Sequence, residues 1–407
     1  MTPSVKPKLL VLTSSFPRGQ HDKDPSFIFE LCHRLTAHFE VHVVAPHSEG
    51  TACHETFTGL HIMRFRYFHS KYETLTGPGG IMPTLARHPW RYFLIPFFIL
   101  GQSTTVCRLL RKHDYRAMHA HWLLPQGFVA VLARWLLKSP VPVVCTAHGS
   151  DMFALKGNIF DTVRRVILNH TDAVTFVSRA LREKARALSG HTPHTAIIPM
   201  GVDLLQTFVP SDSPRHKSQI LFAGRLIQSK GIQYLIRAMP TVLRVHPHAT
   251  LMIAGTGPYA AALKREAAAL KVEHHVTFLG LVENRDLPAL YQTSTMFVLP
   301  SLSEGFGLVL VEALGCECPV IATDLPAIRD IIVNGKTGLT ARTKNPDDLA
   351  DKIVYLLQNP AVRKQLGTAG RKYVHDRYAW EIITDRYAQL IARFVPPHHP
   401  ETSSKSS

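Results

Sequence analysis

Residues 299–324, LPSLSEGFGLVLVEALGCECPVIATD, carry the clearest structural signal in the chain. The apolar run Met296–Pro300 predicts a strand, and a helix that is apolar on nearly all sides is predicted from Gly307 onward. The run Pro319–Asp324 predicts the strand that follows. A helix without a polar face is buried, so the segment predicts a strand–helix–strand unit inside an α/β domain.

Two of the three glutamates in this segment bear on function. Glu312 lies inside the predicted buried helix, where a carboxylate without hydrogen-bond donors is energetically expensive, and ligand hydroxyls can supply those donors. Glu304 lies in the preceding loop, beside Gly305 and Gly307. Glycines there leave the helix N-terminus open, and its free N–H groups and dipole favour an anion such as a diphosphate. A carboxylate that only starts the helix is the alternative interpretation of Glu304.

A basic segment, LFAGRLIQSKGIQYLI, occupies residues 221–236. A predicted strand ends at Ala223, and Gly224 turns the chain. Arg225 and Lys230 then lie at the carboxyl end of that strand, where two cations can hold and neutralise a diphosphate. A solvated basic turn is the alternative, and it would be preferred for either residue alone.

The alternation of apolar strands and amphipathic helices runs through most of the chain. A length of 407 residues also exceeds the roughly 250–300 residues of one core. We therefore expect an α/β protein of two Rossmann-like, doubly wound domains facing each other across a cleft, with ligands at the carboxyl ends of the strands. The stretch 204–217 predicts a linker. The expected units are residues 1–205, residues 206–378, a final helix over 379–396 and a disordered tail over 397–407.

Histidines mark the predicted N-terminal sheet. His148 follows the strand Val141–Thr146 and precedes Asp151, which places it at the sheet edge that faces the cleft. A lone histidine is more often a packed residue than a functional one. His119 and His121 have a spacing that can bind a metal on a strand, but no carboxylate cluster accompanies them. We interpret them as acceptor-side or structural residues, with the structural role favoured.

Composition limits the classes of partner. The chain carries 46 Lys and Arg against 30 Asp and Glu, and its net charge of +16 favours a phosphorylated substrate, a membrane surface or nucleic acid. No nucleic-acid recognition motif accompanies the charge, so no nucleic-acid partner is expected. The six cysteines are scattered, which predicts free thiols in a reducing compartment.

Residues 60–116 raise the question of a membrane contact. They hold nine Lys and Arg against two acidic residues, with five aromatic residues between Trp90 and Phe98. One interpretation is docking on an anionic membrane, and the other is an insertion that packs internally with its arginines in water. The apolar run Tyr92–Leu100 is interrupted by Pro96 and is shorter than the ~20 residues that span a bilayer.

The N-terminal sequence bears on localisation. The first apolar run, Leu9–Leu12, is shorter than the ~7–15 apolar residues of a secretory signal, and it predicts a strand. We therefore expect a cytoplasmic protein, peripheral on the inner face of the membrane if the contact forms.

Together these motifs resemble the retaining, family 4 type of GT-B glycosyltransferases over nearly all of residues 8–396. The resemblance is most specific in the C-terminal half. The matching segments are Ser301–Asp324, Gly224-Arg225-Leu226, Lys230-Gly231, His148-Gly149-x-Asp151 and Pro199–Asp203.

The resemblance implies a nucleotide-diphosphate sugar as donor, without a separate cofactor. Arg225 and Lys230 are implied to bind the diphosphate, Glu312 the ribose hydroxyls and Glu304 the hydroxyls of the donor sugar. His148 is implied to lie against the transferred sugar, so the implied catalytic set is His148, Glu304, Arg225 and Lys230. The backbone N–H groups of Phe306, Gly307 and Leu308 are implied to contact the sugar and phosphate. The segment from Gly280 to Val282 is implied to contact the base.

The acceptor side departs from the family pattern. Similar enzymes carry a glycine-rich loop after the first strand, whereas residues 14–27 contain only Gly19. We assign Gly19, His121 and Asp151 to the acceptor side, and the acceptor is expected to be a carbohydrate or a lipid-linked sugar. The pair Asp22 and Asp24 is interpreted as a solvated loop, and no metal requirement is expected. The final helix, about Trp380–Phe394, is implied to cross back to the N-terminal domain.

The expected activity is hexosyl transfer to an acceptor hydroxyl with retention of configuration, in polysaccharide or glycolipid synthesis. Family members are usually described by a front-face route, in which the departing phosphate helps to take the acceptor proton. A sugar phosphorylase of the same fold is the main alternative, and phosphate-dependent release of a sugar 1-phosphate distinguishes it. A nucleic-acid-binding protein is the less favoured alternative.

Overall fold

The computed structural model describes the chain in five stretches, residues 6–19, 27–77, 80–153, 157–189 and 194–395. The acidic pair Asp22 and Asp24 and the predicted tail 397–407 lie outside the described residues.

An eight-stranded sheet forms the core of the N-terminal half, in the order β3-β4-β2-β1-β5-β6-β7-β8. All neighbouring strands are parallel except β3, which pairs antiparallel with β4. The strands are β1 (Lys8–Leu12), β2 (Glu40–Pro46), β3 (His54–Phe57), β4 (Leu60–Phe65), β5 (Tyr115–His121), β6 (Val143–Ala147), β7 (Ala173–Phe176) and β8 (His194–Ile197). The central strands are buried on both faces, which explains their nearly continuous apolar sequences.

Helices cover both faces of this sheet. They are α1 (Phe27–Leu35), α2 (Ile81–Arg87), α3 (Leu94–Lys112), α4 (Phe128–Leu137), α5 (Ser150–Phe153), α6 (Asn158–Asn169) and α7 (Arg179–Leu188).

A six-stranded parallel sheet forms the core of the C-terminal half, in the order β11-β10-β9-β12-β13-β14. Its strands are β9 (Gln219–Ala223), β10 (Thr250–Ala254), β11 (Val276–Gly280), β12 (Met296–Leu299), β13 (Val320–Thr323) and β14 (Leu339–Ala341). The helices are α8 (Ile232–Val245), α9 (Ala260–Ala269), α10 (Leu287–Thr293), α11 (Leu308–Gly315), α12 (Pro346–Gln358), α13 (Pro360–Tyr378) and α14 (Trp380–Ala392).

The predicted class, two parallel α/β sheets with covering helices, is confirmed. In each sheet the strand order reverses next to the first strand, between β1 and β5 in one and between β9 and β12 in the other. Such reversal points leave a crevice at the carboxyl ends of the strands, where α/β proteins bind ligands.

The segment between the sheets is packed rather than solvated. No strand or helix is present between Ile197 and Gln219. Leu204 and Phe208 are nevertheless buried, and Arg215 donates hydrogen bonds to three carbonyl oxygens of the C-terminal half, those of Tyr291, Ser294 and Cys316. The connection is therefore anchored to the C-terminal half.

Helix α3 corrects one expectation. Pro96 does not interrupt the helix, because it is the third residue of α3, in the first turn, where a missing N–H is tolerated. The helix then continues to Lys112, beyond the apolar run from which the sequence prediction was made. The 24-residue segment Pro89–Lys112 is apolar and long enough to cross a membrane, judged by length and composition alone. Within its most apolar 18-residue stretch, 33% is buried inside the protein.

Helix α14 packs in the core of the N-terminal half. Trp380, Ile383 and Tyr387 are buried in the same cluster as residues of β1 and α1. The return is fixed by backbone hydrogen bonds, from Val202 N to Tyr378 O at 2.9 Å and from Trp380 N to Val202 O at 3.2 Å. The two halves thus share hydrophobic packing in addition to the linker.

The close approach at Gly201 generates a stability prediction. A Cβ atom at Gly201 would lie 2.2 Å from Cε3 of Trp380, whose buried ring cannot move away easily. We expect Gly201→Ala to lower the free energy of unfolding by about 1–3 kcal/mol through overpacking, measured by urea denaturation. The control is Gly19→Ala, because a Cβ there meets nothing within 4 Å. Equal effects of the two substitutions would contradict the tight contact.

Candidate active site

The loops after β9 and β12 fit together through a glycine. Gly231 has a φ of 68°, and a Cβ atom there would lie 1.8 Å from the carbonyl oxygen of Pro300. The N–H of Leu302 donates to the carbonyl of Ser229 at 2.8 Å. Only glycine permits both the backbone conformation and the contact, so this residue fixes the distance between the two loops.

This contact brings the predicted cation and carboxylate together. Lys230 Nζ lies 2.7 Å from Glu304 Oε2, and both side chains are largely buried, at 18% and 12% exposure. Ser301 Oγ donates to the same carboxylate oxygen at 3.2 Å. The predicted Arg225 lies in the first of these loops, exposed, and the described residues give its guanidinium no hydrogen bond or ion pair. It is free to bind an anion.

The neighbouring loops form one continuous edge. Leu226 N donates to Thr256 O at 2.8 Å, and Gly255 N donates to Gly280 O at 2.7 Å. A Cβ atom at Gly255 would lie 1.9 Å from the carbonyl oxygen of Gly224, so this approach also requires glycine. The edge joins the Arg225 loop to the predicted base contacts.

At those predicted base contacts, Gly280 has a φ of 74°, which L side chains rarely adopt. Leu281 is 79% exposed and Val282 is half-buried. The segment therefore offers an apolar surface at the rim of the sheet.

Helix α11 begins with unpaired donors. Its N-cap, Gly307, has a φ of 99° and offers no side-chain cap, and Leu308 is the first helical residue. Within the described chain the N–H groups of Phe306 and Gly307 make no hydrogen bond. The ring of Phe306 is buried and packs edge-to-face on Tyr378 at 5.5 Å. The donors are therefore held in place and available to an anion.

Glu312 is buried in α11, as its position in an apolar run predicted, and is 6% exposed. Tyr291, in α10, donates a hydrogen bond from its hydroxyl to Glu312 Oε2 at 3.1 Å. Burial raises the pKa of Glu312 to about 7, although the bond from Tyr291 opposes the shift. Sequence reasoning missed Tyr291, because its position on an apolar helix gives no sign of a polar partner.

His148 lies where the two halves meet. A Cβ atom at Gly305 would lie 3.2 Å from the His148 carbonyl oxygen, so the loop after β6 touches the loop that holds Glu304. Phe27 and Trp122 flank the imidazole, with ring centroids 4.9 Å and 5.0 Å away. The sequence indicated neither aromatic neighbour.

A second histidine contacts the first. His121 Nδ1 lies 3.1 Å from His148 Nε2, and His119, in the same strand, lies 2.8 Å from Thr146 Oγ1 through its Nε2. Burial lowers the pKa of His148 and of His119 to about 3 and that of His121 well below its usual range. All three rings are therefore neutral at physiological pH. Among the described residues, the Nδ1 of His148 and the Nε2 of His121 are buried without a hydrogen-bond partner, a condition that a bound hydroxyl or water satisfies.

Asp151 has a positional role. Its two carboxylate oxygens accept hydrogen bonds from Leu123 N at 2.8 Å and from Gly149 N at 2.9 Å, and the side chain is buried. In the structure these bonds hold the His148 loop, and the acceptor-side role assigned to Asp151 from the sequence stays a prediction. Gly19 follows β1 at the same sheet edge, with open space at its Cβ position.

A further contact joins the halves beside the site. The backbone N–H of Arg179, at the start of α7, donates to Asp330 Oδ2 at 3.0 Å. The side-chain Nε of Arg179 lies 3.2 Å from Asp330 Oδ1. Together with the approach of Gly305 to His148 and the ion pair of Lys230 with Glu304, this contact shows that these site residues lie where the two halves meet.

Both halves match models of known families. Residues 26–205 match Glycosyltransferase Family 4, and residues 206–373 match Glycosyl transferases group 1. The chain is 37% identical over 334 residues to an uncharacterized glycosyltransferase of Methanocaldococcus jannaschii, covering 77% of this chain and 84% of the relative. It is 29% identical over 328 residues to a GDP-mannose-dependent alpha-(1-6)-phosphatidylinositol monomannoside mannosyltransferase of Mycolicibacterium smegmatis, covering 75% of this chain and 85% of the relative.

Solved structures share the fold. Sucrose-phosphate synthase from Thermosynechococcus elongatus superimposes with a TM-score of 0.76 at 22% identity, covering 95% of this chain and 99% of that one. Anabaena HepE in complex with UDP gives a TM-score of 0.72 at 16% identity, covering 95% and 100%. The chain therefore belongs to the group 1, family 4 glycosyltransferases of the GT-B fold and is a nucleotide-sugar-dependent glycosyltransferase.

Proposed function

We propose that this enzyme transfers a hexose, with retention of configuration, from a nucleotide-diphosphate sugar to a hydroxyl of a lipid-linked acceptor on an anionic membrane. The observation that carries the proposal is the cluster of anion-binding groups in the cleft. It combines the Lys230 ammonium with the Arg225 guanidinium and the N–H groups at the start of α11, which have no partner among the described residues.

The diphosphate is the natural ligand of this cluster. In the free enzyme the Lys230 ammonium is paired with Glu304, so it is ordered before the donor arrives. In the reaction the bond from the anomeric carbon to the diphosphate oxygen breaks, and its electron pair stays on that oxygen. Arg225, Lys230 and the N–H groups stabilise the developing negative charge, which is the electrostatic contribution expected of preorganised donors.

The surroundings of the carboxylates favour a front-face route. Glu304 is held by Lys230 and Ser301, and Asp151 is held by two backbone N–H groups, so both carboxylates are already engaged. The acceptor hydroxyl forms the new bond to the anomeric carbon, and its proton passes to the departing phosphate oxygen. Retention follows when attack occurs on the face that the phosphate leaves.

A neutral imidazole orients the sugar, and an ionised carboxylate binds the ribose. The imidazole of His148, uncharged because of burial, can exchange hydrogen bonds with a sugar hydroxyl without an ion's desolvation cost. The carboxylate of Glu312 lies one turn into α11 and can accept hydrogen bonds from the ribose hydroxyls. Its binding form is the ionised one.

The surface of α3 supports a membrane acceptor. The exposed residues of this helix form one stripe that changes from mostly apolar to basic along its length, and α3 contains no acidic residue. Between α3 and α4 lies a groove of about 830 Å³. Apolar side chains line most of the groove, and three cations line one end, namely Arg108, Arg111 and Lys112. Apolar and cationic groups on one face suit an anionic lipid surface, and one of the relatives is named for a phosphatidylinositol mannoside.

The role of Lys230 generates a kinetic prediction. Lys230→Ala removes one cation from the leaving diphosphate, so we expect kcat in a donor-turnover assay to fall by about 10²–10³-fold. Lys336→Ala, which alters an exposed lysine in the turn before β14, is the matched control and should retain activity. Unchanged rates for both Lys230→Ala and Glu312→Ala would remove the site assignment.

The raised pKa of Glu312 generates a pH prediction. Because the pKa is about 7, the carboxyl is protonated below that pH and ionised above it. We expect the KM for the donor to fall as pH rises through about 7 and then to level off. Above pH 7, Glu312→Gln should have a KM for the donor about 10-fold or more higher than that of the wild type. The substitution should also remove this pH dependence.

Tyr291→Phe provides the matched variant. The hydrogen bond from Tyr291 lowers the pKa of Glu312, so its loss should move the midpoint of the KM profile to higher pH. A Glu312→Gln enzyme with the wild-type pH profile would show that another group is responsible.

The membrane contact is tested by co-sedimentation with vesicles that contain anionic phospholipid. We expect binding at low salt, and the double variant Arg108→Glu, Arg111→Glu should weaken it by at least about 10-fold, because each cation near such a surface contributes about 1 kcal/mol. Arg265→Glu, an exposed residue of α9, is the control. Absence of wild-type binding at low salt would end this part of the proposal.

A further inference from the structure

A second cluster of ligand-type side chains lies away from the cleft. It consists of Glu40 and His42 in β2 and His61 in β4, and one nitrogen or oxygen atom from each residue lies within 4.8 Å of the others. Among the described residues this is the one group of three or more histidine, cysteine or acidic side chains with such spacing.

Strand geometry explains why these residues meet. Glu40 and His42 are two residues apart in β2, so their side chains point to the same face of the sheet. The parallel register pairs His42 directly with His61, and their ring centroids are 4.8 Å apart. Glu40 begins β2, which places the cluster at the amino end of this strand, whereas the catalytic cleft lies at the carboxyl ends.

The imidazole of His42 is held on both sides. Its Nε2 lies 2.9 Å from Glu40 Oε1, and its Nδ1 lies 2.7 Å from the hydroxyl of Tyr115. A histidine that ligates a metal through one nitrogen nearly always engages the other in such a hydrogen bond, which fixes the ring.

We propose that Glu40, His42 and His61 form a binding site for a divalent transition-metal ion of the Zn²⁺ class. Two imidazoles and one carboxylate suit zinc, nickel or copper, whereas magnesium and calcium require oxygen ligands. Ligands of a tetrahedral zinc lie about 3.4 Å apart, so small rotamer changes are sufficient to close the site. Water completes the coordination.

A nearby lysine lowers the affinity of the site for a metal ion. Lys8 Nζ lies 3.6 Å from Glu40 Oε1 and competes with a metal for that carboxylate. The lysine side chain is 30% exposed and can turn toward solvent when a metal binds. Removal of this ammonium should therefore tighten metal binding, while removal of a ligand should weaken it.

A bound ion would link β2 to β4. Binding to the folded protein alone raises its stability by mass action. Because the cluster contains none of the residues placed in the cleft, metal binding and sugar transfer are separable properties.

The test uses the untagged full-length protein, stripped with a chelator and titrated with Zn²⁺ by isothermal calorimetry. We expect one equivalent to bind and the melting temperature to rise with it. His61→Ala should weaken binding by at least about 10-fold, and Tyr115→Phe should weaken it by about 10-fold, because it removes the partner that fixes His42. Lys8→Gln should bind more tightly than wild type.

The control is His274→Ala, which removes a histidine that is 90% exposed and outside the cluster, and it should bind as wild type does. His61 is also exposed, so its loss should leave the fold and the donor-turnover rate unchanged. Equal Zn²⁺ affinity of His61→Ala and wild type, or no binding at all, overturns the proposal. Neither result affects the assignment of the glycosyl-transfer site, which the activity assays test separately.

Discussion

The ion pair between Lys230 and Glu304 is the contact around which the catalytic cleft is organised. It forms only because Gly231 lets the loop after β9 lie directly against Pro300 at the end of β12. Two opposite charges that are largely shielded from water hold each other in place, so the ammonium is already positioned for the diphosphate of the proposed complex. Part of the entropy cost of ordering a long side chain is therefore met during folding rather than during donor binding.

Burial gives the site its chemical character. His148 and His121 are kept uncharged, and the pKa of Glu312 is raised to about 7, all chiefly because these side chains are removed from water. Uncharged rings suit a sugar, whose hydroxyls are neutral donors and acceptors. The positive charges of Arg225 and Lys230 lie where the phosphates bind in the proposed complex. In the proposed complex the phosphate and the sugar thus lie in separate regions of the cleft.

The sequence predicted the fold class because long apolar strands and amphipathic helices alternate along the chain, and parallel sheets leave that signature. It also placed Lys230 and Glu304 after predicted strands, and the structure shows that the two side chains meet. The sequence could not predict the hydrogen-bond partner of Glu312, because Tyr291 lies on another helix and meets Glu312 only through tertiary packing. The extent of α3 was missed because Pro96 suggested an interruption, whereas a proline is tolerated in the first turn of a helix. The roles of the donor residues stay a prediction.

The return of α14 to the N-terminal half has a consequence for biosynthesis. A ribosome delivers the whole eight-stranded sheet, and then the whole second sheet, before Trp380, Ile383 and Tyr387 emerge. Until then the nascent N-terminal domain exposes the apolar surface that these side chains later cover, and such surfaces are bound by chaperones. The first domain to be translated is thus the last to be completed, and the two halves mature as one unit.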